Sequence, residues 1–108
     1  MAIQQVFDTF KPQDAVDIAS ETTIWTPASG KTIRLMGGIV TVTGAAGNVL
    51  LRDDTSGPTI AVIPNAVIGT PIPLDFGSGI VLSAADNVLT ADGPASSVLN
   101  GTFWGREE

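Results

Sequence analysis

Residues 31–53, KTIRLMGGIVTVTGAAGNVLLRD, decide how the rest of the chain is read. Ile33 and Leu35 alternate with Thr32 and Arg34, which places aliphatic groups on one face of an extended ribbon and polar groups on the other. Beyond Gly37-Gly38 the aliphatic positions become Val40 and Val42, with Thr41 and Thr43 opposite, so even positions replace odd ones. One inserted residue produces that change of phase. A β-bulge built on glycine at positive φ is expected there, bending the strand toward a second sheet. Gly44-Ala45-Ala46-Gly47-Asn48 then leads into Val49-Leu50-Leu51, and its small residues suit a hairpin turn. The stretch therefore predicts a bent hairpin, a building block of a β-sandwich.

The flanking sequence continues the pattern. Short apolar runs at 23–26, 32–43, 49–52, 59–63, 71–76, 80–83, 88–90 and 98–106 are separated by Gly, Pro, Asn and Asp. The turns are expected at Pro27-Ala28-Ser29-Gly30, Asp53-Asp54-Thr55-Ser56-Gly57-Pro58, Gly77-Ser78-Gly79 and Asp92-Gly93-Pro94. Pro71 and Pro73 cannot donate to a ladder, so their strand belongs at a sheet edge. The fold class is all-β, an antiparallel β-sandwich or jelly roll of about eight strands. Residues 1–20 read differently. Polar Gln4, Gln5, Asp8, Lys11, Gln13, Asp14 and Asp17 interrupt Val6, Phe7, Phe10, Val16 and Ile18, and Pro12 ends any helical stripe. They predict an extended N-terminal arm that ends as a short edge strand, with the sandwich domain over 21–108.

At 108 residues the chain has one core, and a domain of that size buries only about two-thirds of its unfolded surface. Charged residues make up only 15% and mean hydropathy is +0.32, so few polar groups are at hand to cover the exterior. Part of the apolar surface is expected to meet another chain. The plainer alternative is a monomer whose surface is rich in Thr, Ser and Gly. Five basic against eleven acidic residues give a net charge of −6, with no basic patch, which disfavours nucleic acid and anionic membranes as partners. No run approaches the roughly 18 apolar residues that span a bilayer, and residues 1–14 show neither the basic nor the apolar region of a secretion signal.

Candidate chemistry is sparse. The sequence has neither Cys nor His, which removes thiolate ligands, disulfides and the usual imidazole base. Asp53-Asp54-Thr55-Ser56-Gly57 looks superficially like a calcium loop but lacks the EF-hand spacing and its closing Glu, and an Asx-turn between strands explains it more simply. Asp75, Asp86 and Asp92 fall at strand ends or turns, Ser83 and Ser97 have no His partner, and Lys11 and Lys31 lie in polar surroundings. No catalytic residue, cofactor or metal is expected. Asn100-Gly101-Thr102 matches the glycosylation triplet inside a predicted strand. Alternation over 98–104 puts Val98, Asn100, Thr102 and Trp104 on one face and Leu99, Gly101 and Phe103 on the other, so one aromatic points away from the core. Trp104 and Trp25 are the expected subunit contact, joined by Val6, Phe7, Phe10 and Ile18 of the arm.

The order of these pieces resembles small structural proteins of tailed bacteriophages. The resemblance runs from Trp25-Thr26-Pro27-Ala28-Ser29-Gly30-Lys31-Thr32-Ile33-Arg34-Leu35, through the strand ending in Asp53 and Phe76-Gly77-Ser78-Gly79-Ile80, to Ser96-Ser97-Val98-Leu99-Asn100-Gly101-Thr102-Phe103-Trp104-Gly105. It covers residues 22–108 and leaves the arm less well matched. It implies a decoration or cement protein, made in the host cytoplasm and carried on the capsid surface of the virion. Such a protein forms a homo-oligomer, a trimer by this resemblance, and binds across major capsid proteins. The alternative it leaves open is a tail or fibre accessory module that meets a host-surface glycan, through Trp25, Trp104 or loops near Asp53, or another tail protein.

Overall fold

The computed structural model describes residues 8–108. Eight strands follow in order: β1 (Thr9–Asp17), β2 (Thr22–Trp25), β3 (Ile33–Thr43), β4 (Val49–Asp53), β5 (Thr59–Ile63), β6 (Ile72–Val81), β7 (Leu89–Asp92) and β8 (Val98–Glu107). They form two four-stranded sheets ordered β1-β8-β3-β6 and β2-β7-β4-β5, and every pairing is antiparallel. Folding the chain back on itself between β4 and β5 generates the pairs β4·β5, β3·β6, β2·β7 and β1·β8. Rolling that long double ribbon then adds β8·β3 and β7·β4. This is a jelly roll.

The phase break in β3 is present. Leu35 pairs with Gly105 but Gly37 with Trp104, which leaves Met36 as the extra residue. Ile33 and Leu35 before it, and Val40 and Val42 after it, are fully buried. The expected reason for the glycines needs correcting, because neither Gly37 nor Gly38 has positive φ. They are needed for close approach: a Cβ on Gly38 would stand 2.8 Å from the Thr102 carbonyl oxygen and 3.2 Å from the Phe103 ring.

The expected hairpin of β3 with β4 does not form. β3 belongs to the first sheet and β4 to the second, so residues 44–48 carry the chain across the sandwich. A turn of small residues serves a crossover as well as a hairpin, and local sequence does not choose between them. Two expected strands, 71–76 and 80–83, are one strand. β6 runs through Gly77-Ser78-Gly79 with Gly77 and Gly79 at φ 60° and 109°, a bulge on the edge opposite the β3 irregularity. Its edge position agrees with its prolines.

The arm expected over 1–20 is, over its described part, a strand of the first sheet. β1 pairs with β8 from Thr9↔Gly105 to Asp17↔Val98. The Gln13 side chain is buried on the inner side, where Nε2 donates to the Ile24 carbonyl at 2.9 Å and ties β1 to β2 across the seam between sheets. A register shift between Gln13 and Val16, with Ala15 at φ 51°, is held by a bond from the Ala15 N–H to Asn100 Oδ1 at 2.8 Å. The side-chain amide of the glycosylation-like triplet is thus engaged in strand pairing.

Between the sheets lies one core, in which Ile33, Leu35, Val40, Leu99 and Phe103 of the first sheet meet Trp25, Val49, Leu51, Ile63 and Leu89 of the second. Ile18, just beyond β1, is part of it.

Candidate interaction surfaces

Direct partners across a strand pair point to the same side of a sheet, so the registers sort the outer face of the first sheet into rows. Phe10, Trp104, Gly37 and Asp75 form one row, and Pro12, Thr102, Ile39 and Pro73 the next. Phe10 is 57% exposed and Ile39 51%. Pro12 and Pro73 are exposed, while Trp104 and Thr102 are half-buried. The indole sits over the Gly37 backbone, where a Cβ would come within 2.8 Å of Nε1 and 2.7 Å of the Leu74 carbonyl oxygen. The solvent side of an antiparallel sandwich is normally polar. In these two rows Asp75, on the edge strand, is the one charged side chain.

Of the residues expected at a subunit contact, the structure brings Phe10 and Trp104 together as direct partners on this face. Ile18 and Trp25 are buried in the protein's own core and leave no surface for a neighbour, which corrects that expectation. Val6 and Phe7 lie outside the described residues. Ile39 is the addition. It shares the face of Thr41 and Thr43, opposite Val40 and Val42, but is not among the contacts expected from the sequence.

One end of the sandwich gathers residues 18–21, 44–48, 64–71 and 93–97, in which Glu21 is the one charged residue. These loops interlock. The Gly47 N–H donates to the Asn65 carbonyl at 2.8 Å and Asn65 Nδ2 to the Ala45 carbonyl at 3.0 Å. A Cβ on Gly44 would overlap the Ser96 carbonyl oxygen, and one on Gly47 would lie 2.8 Å from Pro94 Cγ. Ile18 and Ser97 are joined by a backbone bond of 3.1 Å. At the tip stand Val67 and Ile68, 65% and 49% exposed. The nearest acids are engaged: Glu21 accepts from Thr90 Oγ1 and the Ser56 N–H, Asp92 faces Arg52 at 3.4 Å, and Asp17 accepts from the Ala19 N–H.

The opposite end holds charges of both signs, Lys31, Arg34 and Arg106 beside Asp53, Asp54, Asp86, Glu107 and Glu108, and its acids pin loops. Asp53, buried, accepts from the Ser83 N–H at 2.8 Å and Asn87 Nδ2 at 3.0 Å, and Asp86 accepts from the Gly30 N–H at 2.7 Å. The stretch compared with a calcium loop is a strand connection, closed by Gly57 N–H to Asp54 carbonyl and Asp53 N–H to Pro58 carbonyl. Among the described residues no group of three or more His, Cys, Asp or Glu could hold a metal, and no pocket forms. Glu107 accepts from the Trp25 indole N–H and the Ala28 N–H, each at 2.9 Å, and Glu108 pairs with Arg34.

These bonds fix the acid response. Burial, the largest influence on Glu107, pushes its carboxyl upward, but the bonds from Ala28 and Trp25 outweigh it and hold the group below its ordinary 4.5. The Arg34 bond lowers Glu108, and the Thr90 bond lowers Glu21. A carboxyl depressed in the folded state contributes stability that is complete above its unfolded value and is lost as pH falls through the folded one. The melting temperature is expected to fall as pH drops below 4.5. Glu107→Gln should start lower and fall less steeply; an identical slope would show that Glu107 takes no part.

No protein family, characterised protein or solved structure matches this chain.

Proposed function

We propose that this protein is a non-enzymatic structural protein of a bacteriophage virion, a decoration protein that forms a homotrimer on the capsid surface and binds across major capsid proteins. The observation that carries this reading is the segregation of charge along the sandwich. A body of net charge −6 has one interlocked end that bears Val67 and Ile68 at an uncharged tip, with Glu21 the one acid in its loops, and an opposite end that carries most of the charged residues. Such a body stands on a protein surface by its Val67–Ile68 tip and keeps the exposed Asp86 and Glu108 of the other end in solvent. Rigid loops lose little freedom on docking, so even a small contact is used efficiently. Repetition over a symmetric shell multiplies weak contacts through effective concentration. The acidic end keeps the particle soluble and resists adhesion to DNA during assembly. The jelly roll and the resemblance over residues 22–108 support the same role.

The test is binding of purified protein to expanded, undecorated shells of the phage that encodes it. Saturation at a fixed copy number is expected, with a loss of about a hundredfold in affinity for the Val67→Asp, Ile68→Asp double variant, because docking would bury unpaired carboxylates. Failure of the natural protein to bind shells at any ionic strength would overturn the proposal. Adhesion to host cells in place of shells would point to a tail or fibre module.

A further inference from the structure

The proposed role needs copies to touch one another as well as the shell, and the uncharged tip is committed to the shell. We infer that the outer face of the first sheet is the contact between copies of this chain, centred on Ile39 with Phe10, Pro12, Thr102, Trp104 and Pro73 around it.

Three observations select this face and this occupant. The first is chemical. Residues on the solvent side of a half-exposed antiparallel sheet are ordinarily polar, yet Ile39 and Phe10 are each more than half exposed here, between two exposed prolines and the Trp104 ring. The second is electrostatic. Two bodies of net charge −6 repel wherever carboxylates oppose one another. The rows through Trp104 and Ile39 hold no acid except Asp75 at the margin, and the row beyond pairs Thr41 with Asn100. Two copies can bring these rows together without burying a charge, whereas partners of opposite charge gain nothing from a face that has none. The third is size. The uncharged rows span the five positions of β3 from Gly37 to Thr41, because the row of Thr43 and Val98 brings in Asp17. Four strands about 4.8 Å apart and those positions at about 3.4 Å each give a face of roughly 330 Å² per copy. Two such faces stay below the roughly 1,000 Å² of a stable specific interface, so association by this face is weak, reversible and dependent on concentration.

The flat shape supports this. Gly37 lets the indole settle onto the backbone, so the face presents a low ridge in place of a protruding ring. A ridge of Ile39, prolines and flattened aromatics can pack against the same ridge of a second copy, a two-fold contact that pairs copies and is separate from the three-fold contacts of the proposed trimer, with threonine hydroxyls at the rim still in water.

The contact rests on the oligomeric role proposed above, but its test uses the protein alone. Sedimentation equilibrium over a concentration series is expected to give a mass of at least twice the 11.1 kDa chain at the upper end. Ile39→Asp and Thr102→Glu should each raise the concentration at which half the protein is associated by about a hundredfold, by setting carboxylates against one another. Both positions face outward in the single chain, so circular dichroism and melting temperature should show folded protein. The Val67→Asp, Ile68→Asp variant at the tip should associate like the natural protein. A natural protein that stays at 11.1 kDa up to millimolar concentration, or an Ile39→Asp variant that associates unchanged, would overturn the inference. A monomer that still coats shells would remove this contact and leave the capsid role standing.

Discussion

Trp25→Ala is expected to destabilise the folded chain by about 3–5 kcal/mol, a large part of the roughly 5–15 kcal/mol that holds a domain of this size together. Trp25 is fully buried at the end of β2, packed into the core, and its indole N–H donates to Glu107 Oε2 at 2.9 Å. Truncation removes the largest buried side chain and leaves the half-buried Glu107 carboxylate with one partner fewer. Trp25→Phe separates the two effects. It keeps most of the ring and removes the donor, so it should cost about 1–2 kcal/mol and weaken the acid dependence attributed to Glu107. Urea unfolding measures both. The loss is expected as lowered stability of the single chain. Unchanged stability with altered association would return Trp25 to a subunit contact.

The second large effect is expected at Gly101. This residue lies in β8, which sits between β1 and β3 in the first sheet, and it pairs with Gln13 on one side and Val40 on the other. Its φ is 130°, and a Cβ there would overlap the Ile39 carbonyl oxygen and stand 2.8 Å from Val40 Cα. Gly101→Ala therefore carries a conformational cost of about 1–3 kcal/mol. Backbone that cannot yield adds a further 1–3 kcal/mol or so. Gly77→Ala is the comparison. Gly77 also has positive φ, at 60°, but nothing lies within 4 Å of its Cβ position. That variant should lose only the conformational part, about 1–2 kcal/mol. Equal losses at the two sites would mean that β8 and β3 can part at Gly101 more easily than their ladder implies.

The fold class was legible because alternation is a local signal. Ile33 and Leu35 against Val40 and Val42 located the bulge to within a residue, and Pro71 with Pro73 put β6 at an edge. Topology was less legible. Residues 44–48 contain nothing that distinguishes a hairpin from a passage between sheets, since that choice depends on which strands later occupy β3's flanks. β1 was hidden by its own irregularities. Its inner positions include Lys11 and Gln13 in place of aliphatics, Pro12 interrupts the donors, and the shift near Ala15 breaks the period. Gln13 belongs inside because the Ile24 carbonyl awaits it across the seam, a partner eleven residues away that no window of sequence reveals.

The candidate surfaces divide in the same way. The outward turn of Trp104 followed from alternation along β8. The outward turn of Ile39 follows from the same kind of alternation, opposite Val40 and Val42, whereas the inward turn of Trp25 required knowing that β2 closes over the core. The uncharged tip could not be seen at all in the linear chain. Residues 44–48, 64–71 and 93–97 are each unremarkable loops, and only the jelly-roll winding brings them to one end and sends Asp54, Asp86 and Glu108 to the other.

In the proposed role the protein works by the surfaces it presents, with its Val67–Ile68 tip seated on a shell. A cryo-electron-microscopic reconstruction of expanded shells incubated with the protein tests it most directly. Sandwiches are expected to stand with Val67 and Ile68 against the shell and Glu107 and Glu108 away from it. Bare shells, or sandwiches seated by the end that carries Asp54, Asp86 and Glu108, would contradict it.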